Sequence, residues 1–180
     1  MNSQRPVMND GQGPHTEGSC GAGVAIKVDP TQDWLLDFAA VCRSTLEGME
    51  PDERDDDFLT FPHGACGATA NLLAQVLFEL WGIRSEIVLG QEHAHLRRSQ
   101  SHAWLEVSGL TVDITHDQFA GTGLKGWVFA PSLWHASFGS VRREPLCSEW
   151  WSFPVRAHAA LSSAFGCVQN VEMLPVFKSL

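Results

Sequence analysis

Three residues of this chain have the types and spacing of a nucleophilic thiol site: Cys66, His102 and Asp113. A cysteine becomes a good nucleophile when a helix N-terminus or a neighbouring histidine stabilises its thiolate. A carboxylate on the far side of that histidine fixes the tautomer and orientation of the imidazole, as in a Cys-His-Asp triad. The three residues therefore predict attack of Cys66 on a carbonyl, with His102 moving the proton and Asp113 orienting His102.

The segment that carries Cys66 predicts a helix with the cysteine at its start. Apolar residues recur at helical spacing over residues 72–80, and Gly82 ends the pattern. Gly64 and Gly67 add little bulk beside the thiol, so a substrate carbonyl can approach and backbone N–H groups can point at an oxyanion. We therefore expect both glycines to line the cleft.

The segment that carries His102 and Asp113 predicts an antiparallel hairpin. Apolar residues alternate over 101–107 and again over 110–115, and a two-residue Ser-Gly turn separates the two runs. In this register Asp113 is the diagonal neighbour of His102 on one face, with the two backbones about 7 to 8 Å apart. Side chains bridge that distance, so the hairpin places the carboxylate beside the imidazole.

Two more side chains are candidates for the cleft. Trp104 shares the predicted face of His102 and can line the substrate cleft, although core packing is the default for a tryptophan. Gln118 follows Asp113 in the chain, and its amide can donate to an oxyanion. Both residues are therefore assigned to the predicted site beside the three reactive groups.

The rest of the chain predicts elements that support this core. Thr31 caps a helix whose apolar face includes Cys42, which makes that cysteine a core residue. The further predicted elements are a strand over 83–89 ending at Gly90, a polar surface loop over 91–100, a short strand over 127–130, and a helical or partly ordered stretch over 161–168.

The length of 180 residues fits one domain with tails. Residues 1–30 are polar and glycine-rich without apolar periodicity, which is typical of a flexible leader. Residues 31–150 are expected to form the catalytic domain. Residues 151–180 carry scattered apolar residues and are expected to be a poorly defined C-terminal extension.

The charge balance bears on the partners. The chain has 21 acidic and 12 basic residues, a formal net charge of −9, which disfavours binding to nucleic acid through its phosphates. It has no apolar run long enough to span a membrane, and its start lacks the basic and apolar regions of a Sec signal. The expected partner is a protein or peptide substrate, without nucleic acid or membrane, and the oligomeric state stays open.

Cysteine usage bears on the compartment. The chain has five scattered cysteines with no C-x-x-C pair, which disfavours a disulfide framework. A reducing compartment is the default, so we expect a cytoplasmic protein. The polar leader would also suit an effector secreted by a route other than Sec.

Two runs of sequence carry a resemblance to a known family. The run "GACGATANLLAQVLFELWGIRSEIVLG" over 64–90 and the run "SHAWLEVSGLTVDIT" over 101–115 resemble the core of the transglutaminase-like superfamily of papain-fold thiol enzymes. The resemblance implies an α+β fold with a cysteine-headed helix packed on a small antiparallel sheet. It also implies that Cys66 is the nucleophile, His102 the general base and acid, and Asp113 the orienting carboxylate. The short span from cysteine to aspartate is similar to compact bacterial-type members and unlike large calcium-dependent crosslinking enzymes.

Family membership leaves the reaction open, because the acyl acceptor decides the product. Water at a peptide bond gives proteolysis, water at a glutamine amide gives deamidation, and an amine gives crosslinking. Water is the commonest acceptor, so we expect a protease or deamidase that needs no cofactor. The alternatives are a catalytically silent papain-like domain that binds a peptide or partner protein and, less favoured, a crosslinking transglutaminase.

A small zinc protein is a further alternative. His93 and His95 form an H-x-H pair that could ligate zinc together with His63 and Cys66. Such a site would consume the nucleophile, and the sequence offers neither a second shell nor a close fourth ligand. The sequence therefore favours a thiol enzyme without a metal.

Overall fold

The computed structural model describes residues 30–145 and 154–169, which form an α+β fold around one antiparallel sheet. The helices are α1 (Gln32–Gly48), α2 (Cys66–Trp81), α3 (Leu133–Ala136) and α4 (Val155–Gln169). The strands are β1 (Glu86–His93), β2 (His102–Val107), β3 (Leu110–Val112), β4 (Val128–Phe129) and β5 (Phe138–Pro145). The strands lie in the order β4-β3-β2-β1-β5. The predicted leader, except for Pro30, lies outside the described residues.

Helices α1 and α2 form as the sequence predicts. Thr31 caps α1, because its Oγ1 accepts a hydrogen bond from the Trp34 amide at 3.2 Å, and Cys42 lies in the core. Helix α2 begins at Cys66 and ends where Gly82 takes the left-handed conformation with φ of 66°. Both helix predictions are therefore confirmed.

The hairpin that carries the predicted histidine and aspartate is also confirmed. Strands β2 and β3 pair antiparallel with Val107 opposite Leu110, which is the predicted register. Gly109 completes the turn with φ of 80°, a conformation that favours glycine. The predicted short strand near residue 128 is present as β4 and pairs with β3.

The strand after α2 differs from the prediction. It begins at Glu86 rather than residue 83 and continues past Gly90 to His93, so the predicted polar loop is shorter than expected. The reason is β5, which the sequence did not predict. Strand β5 pairs with β1 as far as His93 opposite Phe138, and this pairing extends the ladder beyond Gly90.

The two faces of the sheet are covered differently. Helices α1 and α2 pack on one face of the sheet, and α4 packs against both helices to complete the larger core. Helix α4 lies beyond residue 150 and contributes Ala157, Leu161 and Phe165 to that core, so this part of the expected C-terminal extension is a well-packed helix. A smaller aromatic cluster covers the other face, formed by Val88, Trp104, Trp134 and Phe138. None of the helices in the described ranges is both long and apolar enough to cross a membrane.

Candidate active site

The cysteine of the predicted site lies half-buried at the first residue of α2. The first hydrogen bond of this helix runs from the Thr69 amide to the carbonyl of Ala65, at 2.8 Å. The amides of Cys66 and Gly67 precede it and have no acceptor within the helix. These N–H groups and the helix dipole favour negative charge at this end, either on sulfur or on an oxyanion next to it.

The histidine of the predicted site lies between the thiol and the carboxylate. His102 Nε2 is 2.7 Å from Asp113 Oδ2, and both side chains are almost fully buried. With Nε2 committed to the carboxylate, Nδ1 is the ring nitrogen that remains for the hydrogen bond between His102 and Cys66. The structure thus brings Cys66, His102 and Asp113 into one continuous series of polar contacts.

The carboxylate of Asp113 is held by four hydrogen bonds. Its Oδ1 accepts from the amide and the hydroxyl of Thr115, at 2.9 and 3.1 Å. Its Oδ2 accepts from His102 at 2.7 Å and from His135 at 3.0 Å. A buried carboxylate with this many donors is fixed in orientation and stays ionised.

These contacts shift the acid–base properties of the buried pair. Burial acts to raise the pKa of Asp113, but the charge and hydrogen bond of His102, followed by those of His135, lower it well below its usual range. Burial acts to lower the pKa of His102, but the Asp113 charge and hydrogen bond, followed by Cys66, raise it to about 9. His102 is therefore an imidazolium at neutral pH when Cys66 is a thiolate.

The pKa of the Cys66 thiol is lowered, whereas the pKa of His102 is raised. Burial acts to raise the pKa of Cys66, but the hydrogen bond and charge of His102 and a backbone hydrogen bond from Ala103 lower it below the ordinary range. The charge of Asp113 opposes this lowering. Together these shifts favour a thiolate–imidazolium pair, the reactive state of cysteine nucleophiles.

Gln118 ties the cysteine loop to the aspartate loop. Its Nε2 donates to the Thr115 carbonyl at 2.9 Å and lies 3.5 Å from His102 Nδ1, while its Oε1 accepts from the Gly64 amide at 3.2 Å. Gly64 was expected to offer its amide to an oxyanion, but that N–H is engaged by Gln118. Gln118 was expected to act in the same way, but its amide bridges two loops instead. Gly67 lies in the first turn of α2, where the backbone N–H has no acceptor within the helix.

Trp104 packs beside the imidazole of the site. Its side chain is 3% exposed and stacks with His102 at a ring-centroid distance of 5.9 Å. The reason is that α3 and β5 cover this face of β2, so that Phe138 and His135 also contact the indole ring. The indole ring also lines a cavity of about 350 Å³ that Ser132 and His135 border, so a contact between Trp104 and substrate stays a prediction. Its stacking on His102 restricts the orientation of the imidazole.

His135 is the site residue that the sequence reasoning missed. It lies in α3, a helix of four residues, and its Nε2 lies 3.0 Å from Asp113 Oδ2. Ser132 caps α3 and contacts the His135 ring at Nδ1, at 2.6 Å. A capping serine three residues before a histidine was the only local signal, and it does not reveal a contact with an aspartate on another strand.

Arg43 anchors the loop that carries Gln118. It donates two hydrogen bonds to Asp117, at 2.9 and 2.8 Å, and a third to the carbonyl of Ile114. Its guanidinium also lies 4.7 Å from the ring centroid of Trp127. These contacts fix the end of β3 and the following turn to α1, and they thereby position the residues after Asp113.

The zinc ligands considered from the sequence do not converge. His93 is buried against Trp134 and Phe138, whereas His63 and His95 are exposed. Within residues 30–145 and 154–169, the side chains close enough together to hold a metal ion are instead His102, Asp113 and His135. Direct hydrogen bonds already join these three groups, so their approach needs no ion to explain it.

A scan against protein-family models, a search of curated proteins and a search of solved structures each gave no match for this chain.

Proposed function

We propose that this protein is a thiol-dependent acyl-transfer enzyme that acts on an amide or peptide bond of a protein or peptide, with water as the favoured acceptor. The observation that carries the proposal is the series of contacts from the Cys66 thiol through His102 to Asp113, closed by the 2.7 Å hydrogen bond. We also propose that the fold is a compact papain-like member of the transglutaminase-like superfamily, as the two sequence runs imply.

In the acylation step, the Cys66 thiolate attacks the carbonyl carbon and forms a C–S bond. The carbonyl oxygen takes the negative charge, which the Cys66 and Gly67 amides at the start of α2 stabilise. His102 then transfers its Nδ1 proton to the leaving nitrogen, and the C–N bond breaks. The products of this half-reaction are a thioester on Cys66 and a free amine or ammonia.

In the deacylation step, neutral His102 takes a proton from water, whose oxygen attacks the thioester carbon. The second tetrahedral intermediate collapses with cleavage of the C–S bond. A carboxylic acid is released, and the thiolate–imidazolium pair is restored. Asp113 stays ionised throughout, stabilising the imidazolium and holding Nε2 in place.

The pH dependence of turnover follows from the shifted pKa values of Cys66 and His102. Because the pKa of Cys66 is lowered, activity should rise at a pH below that of an ordinary thiol. Acylation also needs protonated His102 as the acid, and its pKa is about 9, so activity should fall as the pH passes that value. The rise and the fall of activity with pH both reflect the coupled pair of Cys66 and His102 rather than either residue alone.

The experiment that tests the proposal is a screen of peptide mixtures for cleavage or deamidation by mass spectrometry, with turnover in H₂¹⁸O. The wild-type protein should add one ¹⁸O to each new carboxylate, and Cys66→Ala should lower turnover by about a thousandfold or more while keeping the fold. A labelled amine in a parallel reaction identifies crosslinking. A Cys66→Ala variant that keeps full turnover would overturn the proposal.

The second candidate is a catalytically silent papain-like domain that binds a peptide or partner protein. The engaged amides of Gln118 and Gly64 are the observation in its favour, because they leave fewer donors for an oxyanion. Such a domain needs no activated thiol.

We expect the enzyme to act in a reducing compartment, the cytoplasm by default, because its nucleophile is a free thiol.

A further inference from the structure

Asp113 Oδ2 is shared by two histidines that lie on different elements. His102 approaches at 2.7 Å from β2 and His135 at 3.0 Å from α3. His135 is 6% exposed, and Asp113 is 2% exposed. The proposed nucleophilic mechanism uses only the contact between His102 and Asp113, so the contact between His135 and Asp113 has no role in that mechanism.

His135 has one polar partner at each ring nitrogen, Ser132 at Nδ1 and Asp113 at Nε2. The Ser132 Oγ accepts the backbone N–H of His135 at 3.1 Å and lies 2.6 Å from the ring nitrogen Nδ1. An ionised carboxylate only accepts hydrogen bonds, so Nε2, the ring nitrogen that faces Asp113, carries a proton and donates it. The Ser132 hydroxyl has its own proton to donate to Nδ1.

We propose that His135 is a positioning residue that holds the Asp113 carboxylate in line with His102, so that Ser132, His135, Asp113, His102 and Cys66 form one hydrogen-bonded relay. This role rests on the proposed function, because it requires Cys66 to be an activated thiol. His135 acts on the thiol through its contact with Asp113.

The physical reason is the cost of an incompletely paired carboxylate in a buried place. Without His135, Oδ2 keeps one donor, and the carboxylate can rotate or take up a proton. Either change weakens the hydrogen bond between Asp113 and His102 Nε2, and therefore destabilises the imidazolium form of His102. The thiolate then loses part of its counter-charge, and the pKa of Cys66 rises.

His93, Glu106 and Arg143 are further titratable groups near the relay. His93 faces both His102 and His135, and burial, its largest influence, lowers the pKa of His93, so it is neutral near pH 7. Glu106 and Arg143 line a cavity of about 350 Å³ together with His135 and Ser132, but they form an ion pair with each other. The negative charge that faces the histidines is therefore that of Asp113.

The test compares three variants by the pH profile of iodoacetamide labelling at Cys66. His135→Phe keeps the bulk of the ring but removes the donor, and should slow labelling at neutral pH about tenfold with a matching rise in the apparent pKa of the thiol. His135→Gln places an amide donor near the same point and should restore most of the rate. Ser132→Ala should shift the profile in the same direction by a smaller amount.

Arg143→Ala is the matched control, since Arg143 lines the same cavity without contact to Asp113. It should leave the profile unchanged. A folded His135→Phe variant with the wild-type profile would overturn the role of His135; if that variant fails to fold, Ser132→Ala with an unchanged profile would do so. A wild-type Cys66 that reacts as an ordinary thiol would instead overturn the proposed function.

Discussion

The two faces of the sheet are built from different residues and carry different tasks. The face covered by α1 and α2, with α4 packed on those two helices, is an apolar core of aliphatic and aromatic side chains, in which Phe165 stacks with Phe38 at 5.4 Å. The other face holds His93, His102 and His135 among tryptophan and phenylalanine rings. Apolar packing on the first face stabilises the fold, whereas ring packing on the second also restricts the orientation of imidazoles.

The comparison teaches that loss of stability and loss of thiol activation are separable. A cavity in the apolar core lowers the free energy of unfolding without touching the groups that set the pKa of Cys66. A small displacement on the histidine face changes the distance or angle between His102 and its neighbours. Two variants, one on each face, test this separation.

The larger effect on stability is expected from Phe165→Ala on the apolar face. Phe165 is 1% exposed and also contacts the Trp81 ring edge-on at 5.2 Å. Truncation of such a side chain costs about 3–5 kcal/mol, which urea unfolding at 25 °C measures directly. In the folded variant the pH profile of Cys66 labelling should match the wild type. A shifted profile would show that the two faces are coupled.

A smaller effect on stability, with a change in the thiol, is expected from Gly90→Ala on the histidine face. Gly90 lies opposite His102, and an added Cβ would lie 2.6 Å from Phe138 and 2.9 Å from Trp104. Relief of this overlap costs about 1–3 kcal/mol and moves rings that pack against His102. Urea unfolding and Cys66 labelling should therefore both change.

Gly48→Ala is the control for this substitution, because a Cβ at Gly48 meets nothing within 4 Å. It lies at the end of α1, far in the chain from the relay, and should leave the labelling profile unchanged. If Gly90→Ala labelled like Gly48→Ala, the packing of rings against His102 would have no part in thiol activation.

The parts of the site set by local pattern were predictable from the sequence. The helix that begins at Cys66 follows from apolar periodicity and a terminal glycine, and the register that joins His102 to Asp113 follows from a two-residue turn. In both cases neighbours in the chain determine the geometry. The α+β class follows from the same elements.

The parts that depend on distant contacts were not predictable. Strand β5 pairs with β1 across the sheet, and its exposed residues lack the alternation that marks a half-buried strand. His135 meets Asp113 only because the chain from β4 folds back through α3 over the aromatic cluster. The engagement of Gly64 by Gln118 likewise joins two loops far apart in the chain.

The most direct test of thiol activation is the pH dependence of iodoacetamide labelling, read for each cysteine by peptide mass spectrometry in the wild type and in His102→Ala. Cys66 should titrate well below the free-thiol value of about 8.5, and His102→Ala should move that titration upward. Buried Cys42, whose pKa burial raises, serves as the internal control and should label slowly throughout. An ordinary Cys66 titration that is the same in both proteins would contradict the account and favour the silent binding domain.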